Sequence, residues 1–213
     1  MAGIGVDIAS VINELGVLAT VIKEINGSVQ TSTEKITYEI NEQATNTFVR
    51  EFHLNASFAY NTVINSGDVI QFEGNSYLVS NKTPDTFENT IVEYASVIYK
   101  CNLPSTAKIV TWSQTQNPTT YEITSGWTVK KALAYGLIYQ DSRNTLLDEG
   151  NPVGRDVIFG LMCLVPANYD VAKLDRVIVS PTEYYMVQDI EKYQFPGIHV
   201  LTLIEDTRTV YTA

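Results

Sequence analysis

The feature that most constrains this chain is a pattern met twice. Val69-Ile70 followed by Tyr77-Leu78-Val79 is matched by Val177-Ile178 followed by Tyr185-Met186-Val187, 108 residues later in both strands. An aspartate stands ahead of each pair, Asp68 and Asp175, and the same register continues to Phe87 and Phe195 and to Val92 and Val200. An ordered series of matches in one register is the mark of a duplicated unit, in which each copy repeats the same supersecondary structure. The first copy, residues 66–102, reads as strands over 69–72 and 76–80 joined by a turn at Glu73, Gly74 and Asn75, then a longer strand over 90–99.

A weaker match extends the repeat upstream. KITYEI over 35–40 faces TTYEI over 119–123, each after a strand and a polar turn, at a separation of 83. The second copy would then carry about 25 extra residues between 125 and 173. The stretch LIYQDSRNTLLDEGNPVGRDV mixes Asp141, Arg143, Asp148, Glu149 and Arg155 with turn residues. A long excursion of this kind inside a compact domain is either a partner-contacting arm or a solvated surface loop. These five residues are the candidate contact set.

The other segments fit around the repeat. Ile8, Val11, Ile12 and Leu15, with Asp7 near the start and Gly16 past the end, predict a short amphipathic helix. Two turns are marginal alone, so this helix must pack on its own barrel or on a neighbouring subunit. VLATVIKEI over 17–25 predicts a strand, the polar run over 26–35 a hairpin loop, 36–40 a second strand and 46–55 a third. Leu103-Pro104 breaks the pattern, because proline removes a ladder donor and restricts the residue before it. The expected fold is all-β: two tandem related small β-barrels with a short N-terminal helix. The helix would occupy 1–16, the first barrel 17–103 and the second barrel 104–213, with an inserted loop near 135–156.

Composition agrees with strands. The 13 tyrosines, with many Val, Ile and Thr, suit a pleated, half-buried surface. An apolar fraction of 45% with 18% charged residues argues against a disordered chain. The net charge of −10 disfavours a nucleic-acid coat, which needs cations to neutralise phosphates, but suits a surface past which DNA slides without sticking. Cys101 and Cys163 are too few for a disulfide framework and have no metal-ligand spacing. The N-terminus lacks a basic segment followed by an apolar run, so no secretory signal is expected. No apolar stretch reaches the roughly 18 residues that cross a bilayer.

Chemistry is sparse. His53 and His199 are isolated from any third ligand and read as structural or surface residues. Asp189 and Glu191 could serve as an acid–base pair in glycoside hydrolysis, but beside a turn with Lys192 they read as a solvated charge pair. Trp112 and Trp127 could line a sugar-binding face or equally serve a barrel core or an interface. No catalytic, cofactor-binding or metal residues are expected.

The stretch GDVIQFEGNSYLV and the strand ending in VIYKCN resemble tailed-bacteriophage neck proteins of the head-closure, or stopper, type. In those proteins a small β-barrel carries a hairpin of aspartate, two apolar residues, a short turn, tyrosine and two apolar residues. DRVIVSPTEYYMVQDIEKYQFPG followed by HVLTLIEDTR is similar in its ending. The resemblance covers about 66–102 and 175–208 and rests on structural residues. It implies a non-enzymatic, homo-oligomeric ring in the virion neck, assembled in the host cytoplasm, without cofactor or membrane. Its partners would be portal or adaptor and tail proteins, with DNA passing through the channel without specific binding. Many stoppers hold a single barrel, and the second barrel here leaves open an adaptor or a tail terminator. A virion adhesin or carbohydrate-binding module is the alternative from another class, and a hydrolase a more distant one.

Overall fold

In the computed structural model, the residues described are 3–25, 28–40, 52–132, 135–141 and 160–208. Helix α1 (Ile4–Leu15) precedes strands β1 (Val17–Ile25), β2 (Ser28–Ile40), β3 (His53–Ala59), β4 (Val69–Phe72), β5 (Asn75–Val79), β6 (Thr83–Phe87) and β7 (Thr90–Lys100). After the Leu103-Pro104 break come β8 (Lys108–Gln116), β9 (Ile123–Ala132), β10 (Leu137–Asp141), β11 (Gly160–Pro166), β12 (Arg176–Ser180), β13 (Glu183–Phe195) and β14 (Ile198–Glu205). No described helix is long and apolar enough to cross a membrane.

The first sheet has the order β3-β2-β1-β4-β5-β7-β6, and a further pairing of β3 with β7 closes six of its strands into a barrel. Closure removes the open edges that a flat sheet of this composition would expose. The second sheet, β10-β11-β14-β13-β12-β8-β9, follows the same circuit. There β9 pairs with β8 as the first part of β2 pairs with β1, and β10 pairs with β11 as the end of β2 pairs with β3. What is one long strand, β2, in the first copy is thus matched by two, β9 and β10, in the second. Conversely, β13 is continuous where the first copy has two strands, β5 and β6. The chain is all-β, with two tandem related barrels and one short helix.

Cross-strand partners align the copies residue by residue. Val21 pairs with Ile70 and Ile70 with Tyr77; Ile109 pairs with Val177 and Val177 with Tyr185. Val79 pairs with Ile98 and Val187 with Leu203. These inward residues build two separate cores, Val21, Ile36, Phe58, Ile70, Val79 and Ile98 in one, Ile109, Cys163, Val165, Val177, Val187 and Leu203 in the other.

The alignment corrects the separation read from sequence. Tyr77 and Tyr185 keep the expected 108, but the core partner of Ile70 is Val177, 107 residues on, as Asp175 is of Asp68. The irregularity between Ile178 and Ser180 absorbs the difference, because a bulge adds one residue without changing which face points inward. The match of 35–40 with 119–123 does not survive. Tyr38 lies in β2 and packs on Phe72 at 4.9 Å, whereas Tyr121 lies in the β8–β9 turn with φ of 59° and is 73% exposed.

Other expectations shift as well. The polar run expected as a hairpin loop is strand from Ser28 onward, paired to β1 through its full length, with its polar side chains in solvent. Half of the strand expected over 46–55 lies outside the described residues, and β3 begins only at His53. The loop expected near 135–156 opens with strand β10, which ends at Asp141. Arg143, Asp148, Glu149 and Arg155 lie outside the described residues.

The helix packs by its small residues. Gly5, Ala9 and Ile12 are buried against the first barrel, while Ile4, Val11 and Leu15 are 44%, 51% and 74% exposed. Gly16 is not a left-handed cap; its φ is −72°, and a Cβ there would overlap the carbonyls of Ile12 and Ile36.

The two barrels are joined by a third apolar cluster. Val69, Leu78 and Tyr99 of the first meet Leu137, Met162, Leu164, Ile198 and Val200 of the second. The β13–β14 turn, Pro196-Gly197, seats against Gly67 so closely that a Cβ on either glycine would strike the backbone of the other strand. Both glycines have positive φ, 87° and 70°, so close approach and backbone conformation each require glycine.

Candidate functional site

The outward row of the first barrel, running across β1, β4, β5 and β7, is Ile22, Val69, Leu78 and Tyr99. It is apolar, and the second barrel covers it. The same row of the second barrel, by the same pairings, is Val110, Arg176, Met186 and Ile204. An arginine thus stands where the first copy has Val69. Val110 and Arg176 are buried here too, Arg176 beneath aromatic and charged side chains of its own barrel, while Ile204 remains 37% exposed.

Arg176 is fully buried, its guanidinium 4.0 Å from the Trp127 ring and 4.7 Å from that of Tyr184. Its Nε donates to Asp206 Oδ2 at 2.6 Å. Arg208 grips the same carboxylate with Nε on Oδ1 at 2.8 Å and Nη2 on Oδ2 at 2.6 Å, donates Nη1 to the Leu174 carbonyl, and lies 4.9 Å from Trp127. Burial would raise the Asp206 carboxyl, but the bonds from Arg208 and Arg176 outweigh it and hold it well below the usual carboxylate range. Asp206 is therefore a fixed counter-ion and cannot donate a proton near neutral pH.

Trp112 stands opposite Trp127 across β8 and β9, the rings edge-to-face at 5.2 Å, and remains 44% exposed. With Leu174, Lys173, Asp175 and Arg208 the two tryptophans line a cleft of about 370 Å³. Trp127 Nε1 is buried there without a hydrogen-bond partner. Asp175 is held by Lys130 at 3.1 Å and accepts the Ala172 amide at 2.7 Å, as Asp68 accepts the Asn65 amide in the first copy. Both carboxylates are committed to cations, so the cleft suits stacking and charge contact rather than acid–base work.

The other candidates stay apart. Asp189 is exposed, but its partner is Lys173, at 2.7 Å, which holds the carboxyl below its usual range; Asp189, Glu191 and Lys192 lie within β13 rather than beside a turn. His53 lies edge-on to Tyr99 at 4.6 Å, and burial lowers both His53 and His199. Burial pushes the Cys101 thiol up to about 12 and the Cys163 thiol higher still, so neither is a ready nucleophile. Among the described residues no group of three His, Cys, Asp or Glu side chains could hold a metal ion. Asp141, from the expected contact set, closes β10 at the far end of its sheet from β9.

No protein family, curated protein or solved structure matches the chain. The site therefore rests on its own geometry. Sequence reasoning weighed Trp112 and Trp127 but missed Arg176, Asp206 and Arg208. The available signal was an arginine opening an otherwise apolar strand; that it stands where the first copy has Val69 emerges only from the strand pairing.

Proposed function

We propose that the chain is a non-enzymatic structural component of a phage virion neck: a homo-oligomeric ring between portal or adaptor and tail that helps retain DNA and docks the tail. Besides the resemblance in the repeated hairpins, one observation carries the reading. Apolar side chains remain exposed, Ile4, Val11 and Leu15 on the outer face of α1 and Phe87 at the β6–β7 tip, as a surface that meets a further chain would require. The net charge of −10 suits a channel that DNA traverses without adhering. Native mass spectrometry and negative-stain microscopy test this: closed rings that bind portal or tail proteins are expected, and a monomer that binds neither would overturn it.

A second reading, a virion adhesin or carbohydrate-binding module, is favoured by the exposed Trp112 above its cleft. A glycan array separates the two. Saccharide binding lost in Trp112→Ala would favour the adhesin.

A further inference from the structure

We infer that copies of this chain associate head to tail, with the β6–β7 hairpin of one copy seated on the exposed Leu174 and Ile204, beside the Trp112–Trp127 cleft, of the second barrel of the next. This deepens the ring reading above by naming its contact, and it is built on the internal repeat. Inside one chain, the β13–β14 hairpin already performs the same docking on the first barrel: Phe195 lies edge-on to Tyr99 at 6.2 Å, and Gly197 abuts Gly67.

The tip of that hairpin and its seat have counterparts left open, whereas Val92, the counterpart of Val200, is covered by α1. Phe87 pairs with Thr90 across the turn Glu88-Asn89 as Phe195 pairs with Ile198 across Pro196-Gly197. Phe87 is 50% exposed, and the whole of β6 faces solvent on an edge that, among the described residues, pairs with β7 alone. On the receiving side, Tyr99 corresponds to Ile204, since Leu78 pairs with the one and Met186 with the other. Gly67 corresponds to Leu174, whose amides donate to the Val79 and Val187 carbonyls respectively. Ile204 and Leu174 are 37% and 61% exposed.

Two differences set the character of the contact. The tip is acidic, with Asp85 and Glu88, and the receiving cleft carries Lys173 and Arg208 at its rim, each of which would exchange or share its present partner, Asp189 or Asp206, on docking. Opposed charge of this kind steers encounter and sets register. At the point of closest approach the paired glycines of the internal contact become Asn89 and Leu174, so the backbones stand further apart. Leu174 holds a φ of 72° and leaves its side chain 61% exposed. The contact between copies is therefore looser than the one within a chain. A head-to-tail contact generates a ring when its rotation closes and a filament when it does not.

The test uses the full chain in two variants, Phe87→Asp, which spoils the hairpin, and Leu174→Asp, which spoils the receiving row. Both sites are exposed, and circular dichroism checks that each variant stays folded. By sedimentation velocity the parent chain should self-associate and each variant alone should not. An equimolar mixture should form a heterodimer, because one intact tip then meets one intact row. In a third variant, Asn89→Cys with Leu174→Cys, mild oxidation should give a ladder of disulfide-linked oligomers, beyond what either single cysteine yields. Oligomers that persist unchanged in both Asp variants would overturn this contact and leave the ring reading standing. A parent chain that stays monomeric to hundreds of micromolar and gives no ladder would overturn both.

Discussion

The two barrels share one circuit and differ in what they do with one row of side chains. In the first, Ile22, Val69, Leu78 and Tyr99 form an apolar strip that the second barrel buries. In the second, Val110, Arg176, Met186 and Ile204 occupy the same places, with Arg176 clamped by Asp206, Trp127 and Tyr184. An uncovered apolar strip would promote unspecific association, whereas a buried guanidinium between aromatic rings fills the space and presents polarity at the rim. The shared circuit supplies two equivalent rows, and the inter-barrel cluster takes in only the first.

The comparison breaks most visibly at Arg176. Arg176→Met should cost about 3–5 kcal/mol, because Asp206 is left buried with half its partners. Arg176→Met with Asp206→Leu should recover most of that loss, since it restores the apolar row of the first copy. Urea denaturation followed by tryptophan fluorescence measures both, and Trp112 and Trp127 lie only in the second barrel. A single variant as stable as the parent would show that the clamp contributes nothing.

At the covered row the expected loss is slightly smaller. Leu78→Ala, fully buried at the junction, should cost about 2–4 kcal/mol as a large-to-small change. It should also split unfolding into two transitions, the tryptophan signal no longer coinciding with far-ultraviolet circular dichroism. Gly67→Ala attacks the same junction through backbone overlap with Gly197 and an unfavourable φ, with an expected cost of about 1–3 kcal/mol. Leu174→Ala, at the equivalent open position, should change stability by less than about 1 kcal/mol. Equal costs at Gly67 and Leu174 would erase the distinction between covered and open rows.

The smallest effect is a difference in acid response. The Asp206 carboxyl is depressed in the folded chain, so its contribution is complete above its ordinary value near 3.8 and disappears as pH falls further. Asp68 of the first barrel is shifted the other way: burial raises it, despite the Asn65 amide and Lys23 at 3.1 Å. A raised carboxyl binds its proton more readily when folded, so its contribution improves as pH falls through the folded value. Between pH 5 and 3, Asp68→Asn should therefore steepen the loss of stability, and Asp206→Asn should flatten it. Parallel pH profiles for both variants would contradict these opposite signs.

The centre of the first barrel was legible in sequence because β4 and β5, buried on both faces, are short apolar runs bounded by turn residues. Val69-Ile70, Tyr77-Leu78-Val79 and the long strand ending at Lys100 all appear where the pattern placed them. What escaped were features in which local pattern and pairing disagree. The polar run from Ser28 is strand because β1 supplies its partners, which a hydrophobicity pattern does not register. Tyr121 imitated Tyr38 because a short Tyr-Glu-Ile string carries no information about register. Strand β6 was missed because all five of its residues face solvent. At the candidate site, Trp112 and Trp127 were conspicuous by type, while Arg176 and Asp206 come from strand ends 30 residues apart.

The sequence alone determined that the chain is all-β and built twice on one plan, because side-chain alternation and an ordered repeat are properties of neighbours along the chain. The tertiary structure decided which copies of a residue remain equivalent in role. Val69 and Arg176 occupy the same position in the same circuit, yet one is sealed against a second barrel and the other is held by a carboxylate arriving from the chain's last strand. That difference depends on contacts between residues far apart in sequence, through bulges and a hairpin turn that shift register by single residues, and only folding brings those groups together.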